Sequence, residues 1–319
     1  MTQAEKVRNF IHTHEATEIF TGFWHHFPKS VIELGVDSQI KAHMDFAKKT
    51  NVDILKIMNE NEMRSSNKII NLSDWKNIPK LNSNSKLVSN QKEILERIVF
   101  ENKGDRYLLA TIHGLLASLS HSSGYSYSVS PEIIREHYSR DKSVIKDAIK
   151  QIHENTQYMV DIALSSGVDG IYYAALGGES DKLTDDEFYD ILYEPEISLL
   201  EQVKGNKDIF LHMCKEKVNL NRYKDYPTDV VNWAMHESEY TLEEAKKIFN
   251  DKIILGGFDD RSGVLVDGTT NEIIKVLNKI VSNFNDTPFI IGADCTLPTE
   301  FDLEKINVIK TELSKEKNK

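Results

Sequence analysis

Eight short apolar runs, separated by longer segments of helical character, constrain the fold of this chain more than any other feature. The runs are TEIFTGFW (17–24), VDILKIM (52–58), YLLATIHG (107–114), VDGIYYAAL (168–176), DIFLHMC (208–214), DVVNWAM (229–235), KIILGGF (252–258) and PFIIGAD (288–294). Their almost continuous apolarity is typical of strands covered on both faces. This alternation predicts an α/β fold with a parallel sheet, most economically a single (β/α)8 TIM barrel over residues 1–319 with an N-terminal helix. A doubly wound open sheet is the alternative.

The segments between the runs carry helix signals. Residues 130–167 have room for two helices, with Ser130 as N-cap before a proline. Residues 241–251 open with a threonine and a glutamate at capping-box spacing, and residues 269–286 are amphipathic. The polar stretch 79–93 is predicted to be an exposed connection after the second strand.

Composition indicates the compartment and excludes some partners. The chain has 319 residues, two cysteines and a net charge of −11. With so few cysteines and no secretory signal, a reducing cytoplasm is expected and a disulfide framework is not. No apolar run approaches the ~20 residues that span a bilayer, so no membrane association is expected. Acidic and basic residues are mixed along the chain, and no basic stripe indicates nucleic-acid binding.

The fifth run ends in FLHMCKE, which contains His212 and Cys214. Residues i and i+2 of a strand point to the same face, so both side chains are expected at the rim where barrel active sites lie. The second cysteine, Cys295, follows the eighth run. Two thiolates and an imidazole suit Zn²⁺, and the end of the sixth run adds His236, Glu237 and Glu239. A location of the histidine and cysteines in the core is the alternative.

Three further segments carry a family resemblance. They are NVDILKI (51–57), ILGGFDD (254–260) and GADCTLP (292–298), and their order along the chain resembles the uroporphyrinogen decarboxylase superfamily. One branch of that superfamily holds decarboxylases, which clamp substrate carboxylates with an arginine-rich segment near the N-terminus. The other holds zinc methyltransferases similar to methylcobalamin:coenzyme M methyltransferase. This chain has TGFWHHFPKS (21–30) in place of the arginine-rich segment, without any arginine, so the resemblance is to the methyltransferase branch.

The resemblance implies an enzyme and assigns roles to residues. His212, Cys214 and Cys295 match the zinc ligands of the methyltransferase branch, and Glu237 best fits its additional carboxylate ligand. Release of Glu237 or of a water from zinc would make room for a substrate thiol, which zinc would activate as the thiolate. The thiolate would then accept a methyl group, with a corrinoid on a separate carrier protein as a candidate donor. Asp53 matches the catalytic aspartate of the decarboxylases and is expected to orient substrate or support the structure.

Two other functions remain open from the sequence. A decarboxylase-like lyase acting on a carboxylated tetrapyrrole, as in porphyrin biosynthesis, follows from the superfamily and Asp53. A non-enzymatic binding module for a corrinoid or tetrapyrrole would use the same barrel mouth. Related barrels often pair, so a homodimer is also left open.

Five aromatic or imidazole side chains are candidates for substrate binding. Trp24, His25 and His26 follow the first strand, where they could stack on a flat substrate or pack under a loop. His113 at the end of the third strand could face the barrel mouth, with a hydrogen-bonded core histidine as the alternative. Tyr172 lies near the end of the fourth strand.

Overall fold

The eight predicted strands form one closed parallel barrel in sequence order. The structure, a computed structural model, describes residues 1–15, 18–60, 63–284 and 287–316. The strands are β1 (Phe20–Gly22), β2 (Ile54–Ile57), β3 (Tyr107–His113), β4 (Gly170–Ala175), β5 (Asp208–Met213), β6 (Val230–Trp233), β7 (Ile253–Phe258) and β8 (Phe289–Ala293). Strand β8 pairs with β1 and closes the sheet. The predicted TIM barrel is confirmed, and the open-sheet alternative is excluded.

Helices surround the barrel and cover one of its ends. They are α1 (Gln3–Thr13), α2 (Lys29–Glu33), α3 (Val36–Thr50), α4 (Lys86–Asn102), α5 (Leu115–Ser122), α6 (Ser130–Arg140), α7 (Lys142–Ser165), α8 (Asp185–Phe188), α9 (Glu194–Val203), α10 (Leu242–Ile248), α11 (Gly263–Asp267), α12 (Thr270–Asn283) and α13 (Glu304–Glu316). Short 3₁₀ segments cover Leu72–Asn77 and Leu220–Tyr223, and a π-helical turn covers Tyr189–Tyr193. Among the described residues, no helix combines the length and apolarity that crossing a bilayer requires.

Each strand is apolar on both faces because each face packs against a different layer. In β2, Leu55 and Ile57 join the cluster that fixes the helices to the sheet, whereas Ile54 joins the cluster that fills the barrel. The inward and outward positions alternate, as the pleat requires. Lys56 therefore lies on the inner face together with Ile54.

The predicted N-terminal helix closes the amino-terminal end of the barrel. Val7, Phe10 and Ile11 of α1 pack into the inner cluster together with Phe20 and Tyr107, the first residues of β1 and β3. A capping box formed by the residue before α1 and its third residue fixes the start of this helix. Sites in barrels of this kind lie at the opposite, carboxyl-terminal rim.

The helix predictions are largely confirmed, with two corrections. Residues 130–167 hold α6 and α7, but Ser130 is the first residue of α6 rather than its N-cap. The capping-box start of α10 is present, and α12 lies where the amphipathic pattern predicts it. The prediction of a connection over 79–93 is wrong from residue 86 onward, where α4 begins. Val88, Gln91 and Leu95 are buried on one face of α4, and the many asparagines and serines nearby obscured this spacing.

Candidate metal centre and its cavity

The last inward-facing position of β5 brings His212 to the carboxyl-terminal rim, and Cys214 reaches the same rim directly after the strand. His212 is the second-last residue of the strand and is almost fully buried, and Cys214 follows the strand directly. Both lie on the same face, because the strand geometry alternates with a period of two. The predicted orientation of this pair toward the barrel axis is therefore present in the structure.

Cys295 comes to the same place from the other side of the barrel. It lies two residues beyond β8, and its Sγ is 3.7 Å from Sγ of Cys214 and 3.4 Å from Nε2 of His212. All three ligand atoms lie within 4.8 Å of one another. The closed barrel therefore brings together Cys214 and Cys295, which are 81 residues apart in the chain.

These separations fit a tetrahedral zinc site. With Zn–S bonds of about 2.3 Å and Zn–N bonds of about 2.0–2.1 Å, two ligand sulfurs lie about 3.8 Å apart, and a sulfur and a nitrogen about 3.6 Å apart. The observed 3.7 Å and 3.4 Å are close to both values. The donor set of two thiols and one imidazole is also one that zinc accepts, with the fourth position left for another ligand.

Asn232 fixes the ring of His212 in the orientation that a metal ligand needs. Its side-chain amide donates to the carbonyl oxygens of Leu255 (2.9 Å) and Ala293 (3.1 Å), which sets its Oδ1 toward His212. Nδ1 of His212 lies 2.6 Å from that oxygen and donates its proton to it. Nε2 is then the ring nitrogen with a free electron pair, and it is the one beside Cys295. The sequence analysis did not identify Asn232 as a candidate site residue, although a polar side chain within the apolar strand β6 could have indicated one.

The two thiols have different acidities. The hydrogen bond between them lowers the pKa of Cys295 and raises the pKa of Cys214, and burial raises the pKa of Cys214 further. A thiolate is the form that binds metal. The site thus favours Cys295 as the thiol that loses its proton more readily.

A cavity of about 500 Å³ opens above the three groups at the rim. His212, Cys214 and Cys295 line it, together with charged residues that include Lys56, Glu60, Asp260 and Arg261. Burial, and then the neighbouring Cys295, raise the pKa of Asp260 to about 6. The volume is within the range of small-molecule sites.

A larger cleft, of about 790 Å³, lies at the opposite, amino-terminal end of the barrel. It is lined by the loops that precede the strands, with residues such as Arg8, His12 and Asp229, and it contains none of the three candidate ligands. His12 already binds Asp208 there at 2.8 Å. The donor groups, rather than cavity size, therefore identify the candidate site.

Three of the five predicted substrate-binding residues line the cavity: His26, His113 and Tyr172. The Tyr172 ring stacks on His212 with centroids 5.4 Å apart, and its hydroxyl donates to Oδ1 of Asn232 at 3.1 Å. His26 lies 3.3 Å from Glu60. Burial lowers the pKa of His113 to about 3, with a further contribution from His121 beside it, so this imidazole is neutral at pH 7.

The other two predicted residues are not among those that line the cavity. Trp24 is buried and meets the Tyr172 ring edge-on at 4.9 Å, so it supports the cavity wall from behind. His25 packs between the rings of Phe27 and Phe46 and contacts the carbonyl oxygen of His26 through Nδ1. Its ring therefore fills a gap under the loop, which is the packing alternative that the sequence left open.

The two predicted carboxylates lie away from the three ligand atoms. Glu237 is not a member of their group, and its carboxylate is 3.4 Å from the guanidinium of Arg261. Asp53 precedes β2, at the amino-terminal end of the barrel, where it binds Lys310 and the hydroxyl of Thr21. The geometry therefore gives Asp53 a structural position. The carboxyl end of β2 presents Glu60 to the cavity instead.

Comparison with solved structures identifies where this architecture recurs. No protein-family model and no curated protein matches the chain. A methyltransferase from Methanosarcina mazei superimposes with a TM-score of 0.79 at 11% identity, covering 99% of this chain and 99% of that chain. A B12-independent methionine synthase from a Shewanella species superimposes with a TM-score of 0.64 at 11% identity, covering 94% and 98%. The shared feature is the fold. The resemblance inferred from the sequence is confirmed at that level.

Proposed function

We propose that the protein is a zinc-dependent methyltransferase that uses a thiol as methyl acceptor. The observation that carries this proposal is the triangle of His212, Cys214 and Cys295, whose ligand atoms lie at the separations of a tetrahedral zinc site. Its position at the active-site rim supports catalysis rather than a purely structural metal. The fold shared with a methyltransferase and a methionine synthase supports methyl transfer as the reaction.

In this proposal, one group of residues holds the metal and a second group positions the metal ligands. His212, Cys214 and Cys295 would bind the ion, and Asn232 keeps the proton of His212 on Nδ1. Zinc bound there would lower the pKa of a thiol at its fourth position, so that the thiolate is available at neutral pH. Tyr172 restrains the imidazole ring from one side by stacking.

The cavity orients the two reactants. The acceptor sulfur forms a new bond to the methyl carbon while the bond between that carbon and its donor breaks, and the electron pair of the broken bond stays with the donor. The thiol proton leaves to solvent. We propose a corrinoid carried by a separate protein as the donor, since the cavity opens at the rim, where a carrier could approach.

The decarboxylase alternative depended on Asp53 as a catalytic residue, and the position of Asp53 does not support that role. Asp53 lies at the amino-terminal end of the barrel and is held by Lys310 and Thr21. It is not among the residues that line the cavity. Without that carboxylate and without an arginine cluster, no observation favours a tetrapyrrole lyase.

Metal content tests the proposal. Wild type, Cys214→Ser, Cys295→Ser and the control His113→Gln would be reconstituted with zinc, dialysed and analysed for metal. We expect about one zinc per chain in wild type and in His113→Gln, and loss of zinc in both cysteine variants. Retention of zinc by both cysteine variants would show that the metal binds elsewhere, and a metal-free wild type would overturn the proposal. Methyl transfer from methylcobalamin to a small thiol then tests the reaction.

A further inference from the structure

The backbone that follows Cys214 is strained. Lys215 and Lys217 have φ angles of 78° and 60°, in the left-handed region that residues with a side chain rarely adopt. Such conformations persist only where the surrounding structure holds them. The N–H of Cys214 itself makes only a long hydrogen bond, of 3.4 Å, to the carbonyl oxygen of Ala175. The position of Cys214 therefore depends on what holds the turn of residues 215–217.

The β4–α8 loop, residues 176–184, holds this turn through backbone hydrogen bonds. The N–H of Ser180 donates to the carbonyl oxygen of Lys217 at 3.0 Å, so one of the strained residues is bound directly. Just beyond the turn, the N–H of Asn219 donates to the carbonyl oxygen of Gly178 at 2.8 Å. The conformation of the turn thus depends on the position of the loop.

Arg222 in turn holds the loop. Its side chain extends from the 3₁₀ segment after β5, and the residue is only 3% exposed. The guanidinium donates to the carbonyl oxygens of Gly177 (3.1 Å), Glu179 (3.3 Å) and Leu183 (2.8 Å). Its Nε also donates to the carboxylate of Asp185, at the start of α8, at 2.9 Å. One side chain therefore binds the loop near both of its ends.

The contacts of Arg222 indicate a geometric role. The guanidinium is planar and carries five N–H donors in a fixed arrangement, so it can bind several carbonyl oxygens at once. The carboxylate of Asp185 is 65% exposed, and an ion pair with so exposed a partner contributes little. Arg222 is not among the residues that line the cavity. Its main contacts are therefore those with the backbone of the loop.

We propose that Arg222 is a positioning residue for the candidate metal centre. It fixes the β4–α8 loop, the loop keeps residues 215–217 in their left-handed conformation, and that conformation places Sγ of Cys214 beside Cys295. The inference rests on the proposed function for the metal, and on these contacts for the position of Cys214. Without the arginine, the turn would relax and Cys214 would leave the site, whereas His212 and Cys295 would stay.

The test uses variants of the arginine and of the turn. Arg222→Met removes the donors; Arg222→Lys, which keeps the charge without the planar group, replaces it if Arg222→Met does not fold, and the same outcomes apply. Arg106→Met is the control, since Arg106 is a half-buried arginine that donates to the carbonyl oxygen of Ala47 at 3.1 Å. Lys217→Gly removes the strain, because glycine adopts positive φ freely. Glu216→Gly adds flexibility at a residue without a positive φ.

Two measurements report on the site. Competition with a chromophoric chelator gives the zinc affinity, and the thiolate-to-cobalt absorption of the cobalt(II)-loaded protein reports how many thiolates bind. We expect Arg222→Met to bind zinc about tenfold or more weakly than wild type. Its cobalt absorption should be that of one thiolate where wild type shows two. Arg106→Met should match wild type in both measurements, because its side chain lies away from the loop.

The glycine variants separate positioning from a general effect on stability. In the Lys217→Gly background, Arg222→Met should weaken zinc binding by no more than about threefold, since the turn keeps its conformation without strain. In the Glu216→Gly background, the full loss should remain. Wild-type zinc affinity and cobalt absorption in Arg222→Met would overturn the proposal. An equal loss in the Lys217→Gly background, or in Arg106→Met, would also overturn it.

A failure of the proposed function is distinguishable from a failure of this positioning role. If wild type binds neither zinc nor cobalt, the proposed function is wrong, and alkylation by iodoacetamide measures the position of Cys214 in the metal-free protein. Mass spectrometry of the Cys214 peptide gives the rate. We expect faster alkylation in Arg222→Met than in wild type, and a rate near that of wild type when Lys217→Gly is added. Equal rates in wild type and Arg222→Met would overturn the positioning role.

Discussion

Oδ1 of Asn232 lies 2.6 Å from Nδ1 of His212, and the other side of the same amide is held by two backbone carbonyls. This arrangement determines which ring nitrogen of His212 carries the proton. For a metal bound at this candidate site, the ligand atom of His212 would thus be set by a residue that does not touch the metal.

Replacement of Asn232 by alanine tests this relationship. We expect Asn232→Ala to bind zinc roughly 10- to 100-fold more weakly, because the His212 ring loses the acceptor that fixes its tautomer and orientation. Competition with a chromophoric chelator measures the affinity. Asn102→Ala is the control, since Asn102 is a buried asparagine at the end of α4 that bonds the carbonyl oxygen of Arg106. Equal affinities of both variants and wild type would refute the orienting role.

Asp53 is expected to matter for stability rather than for metal binding. Its carboxylate is 2% exposed and pairs with Lys310, so Asp53→Asn leaves the partly buried ammonium of Lys310 without its counter-charge. We expect the free energy of unfolding to fall by roughly 3–5 kcal/mol, the usual effect of breaking a buried ion pair. Urea denaturation measures this loss, and zinc content should stay at the wild-type value. A stable variant without activity would instead restore the catalytic role predicted from the sequence.

Glu237 is the carboxylate that the family resemblance implies as a metal ligand, and the structure pairs it with Arg261 instead. We expect Glu237→Gln to bind zinc with unchanged stoichiometry and affinity, because its carboxylate is not in the group of ligand atoms. The measurement is the same chelator competition. A clear weakening of zinc binding, of tenfold or more, would show that Glu237 reaches the metal after the loop rearranges.

His43 predicts how stability depends on pH. The ring is buried in α3: Nδ1 donates to the carbonyl oxygen of Gln39 at 2.7 Å, and Nε2 accepts from the backbone N–H of Met58 at 2.8 Å. The bond that Nε2 accepts requires the neutral imidazole. Burial lowers its pKa from 6.5 to about 4; the Gln39 hydrogen bond and Glu60 act in the opposite direction, and His25 and Lys56 lower it further.

The unfolded chain binds this proton below pH 6.5, whereas the folded chain does not until about pH 4. The contribution of His43 is therefore complete above pH 6.5 and is lost as the pH falls toward 4. From 1.36 kcal/mol per pKa unit, the loss amounts to roughly 3 kcal/mol. Urea denaturation at several pH values measures the slope, which His43→Leu should flatten and the exposed control His14→Asn should not. Parallel slopes for His43→Leu and wild type would contradict the assignment.

Local pattern in the sequence was sufficient for the barrel and for the three residues of the candidate metal centre that the structure brings together. The eight apolar runs are separately recognisable, and their alternation with helices admits few topologies. His212 and Cys214 share a face because strand pleating fixes neighbours two residues apart. The position of Cys295 after a strand was also readable, since strand ends of a parallel barrel meet at one rim. The prediction of an exposed connection over residues 79–93 was wrong where α4 begins, because the polar residues around its short apolar stripe made the helical spacing hard to recognise.

Only the tertiary structure decided which polar residues face the cavity and what they contact. Asp53 and Lys56 are three positions apart, yet one lies at the amino-terminal end of the barrel and the other at the floor of the cavity. Asn232 acquires its role from a histidine on the neighbouring strand. The sequence by itself determined the order of strands and the local face of each residue. Depth along the barrel and contacts between strands depend on how the closed sheet is staggered, and that is a property of all eight strands together.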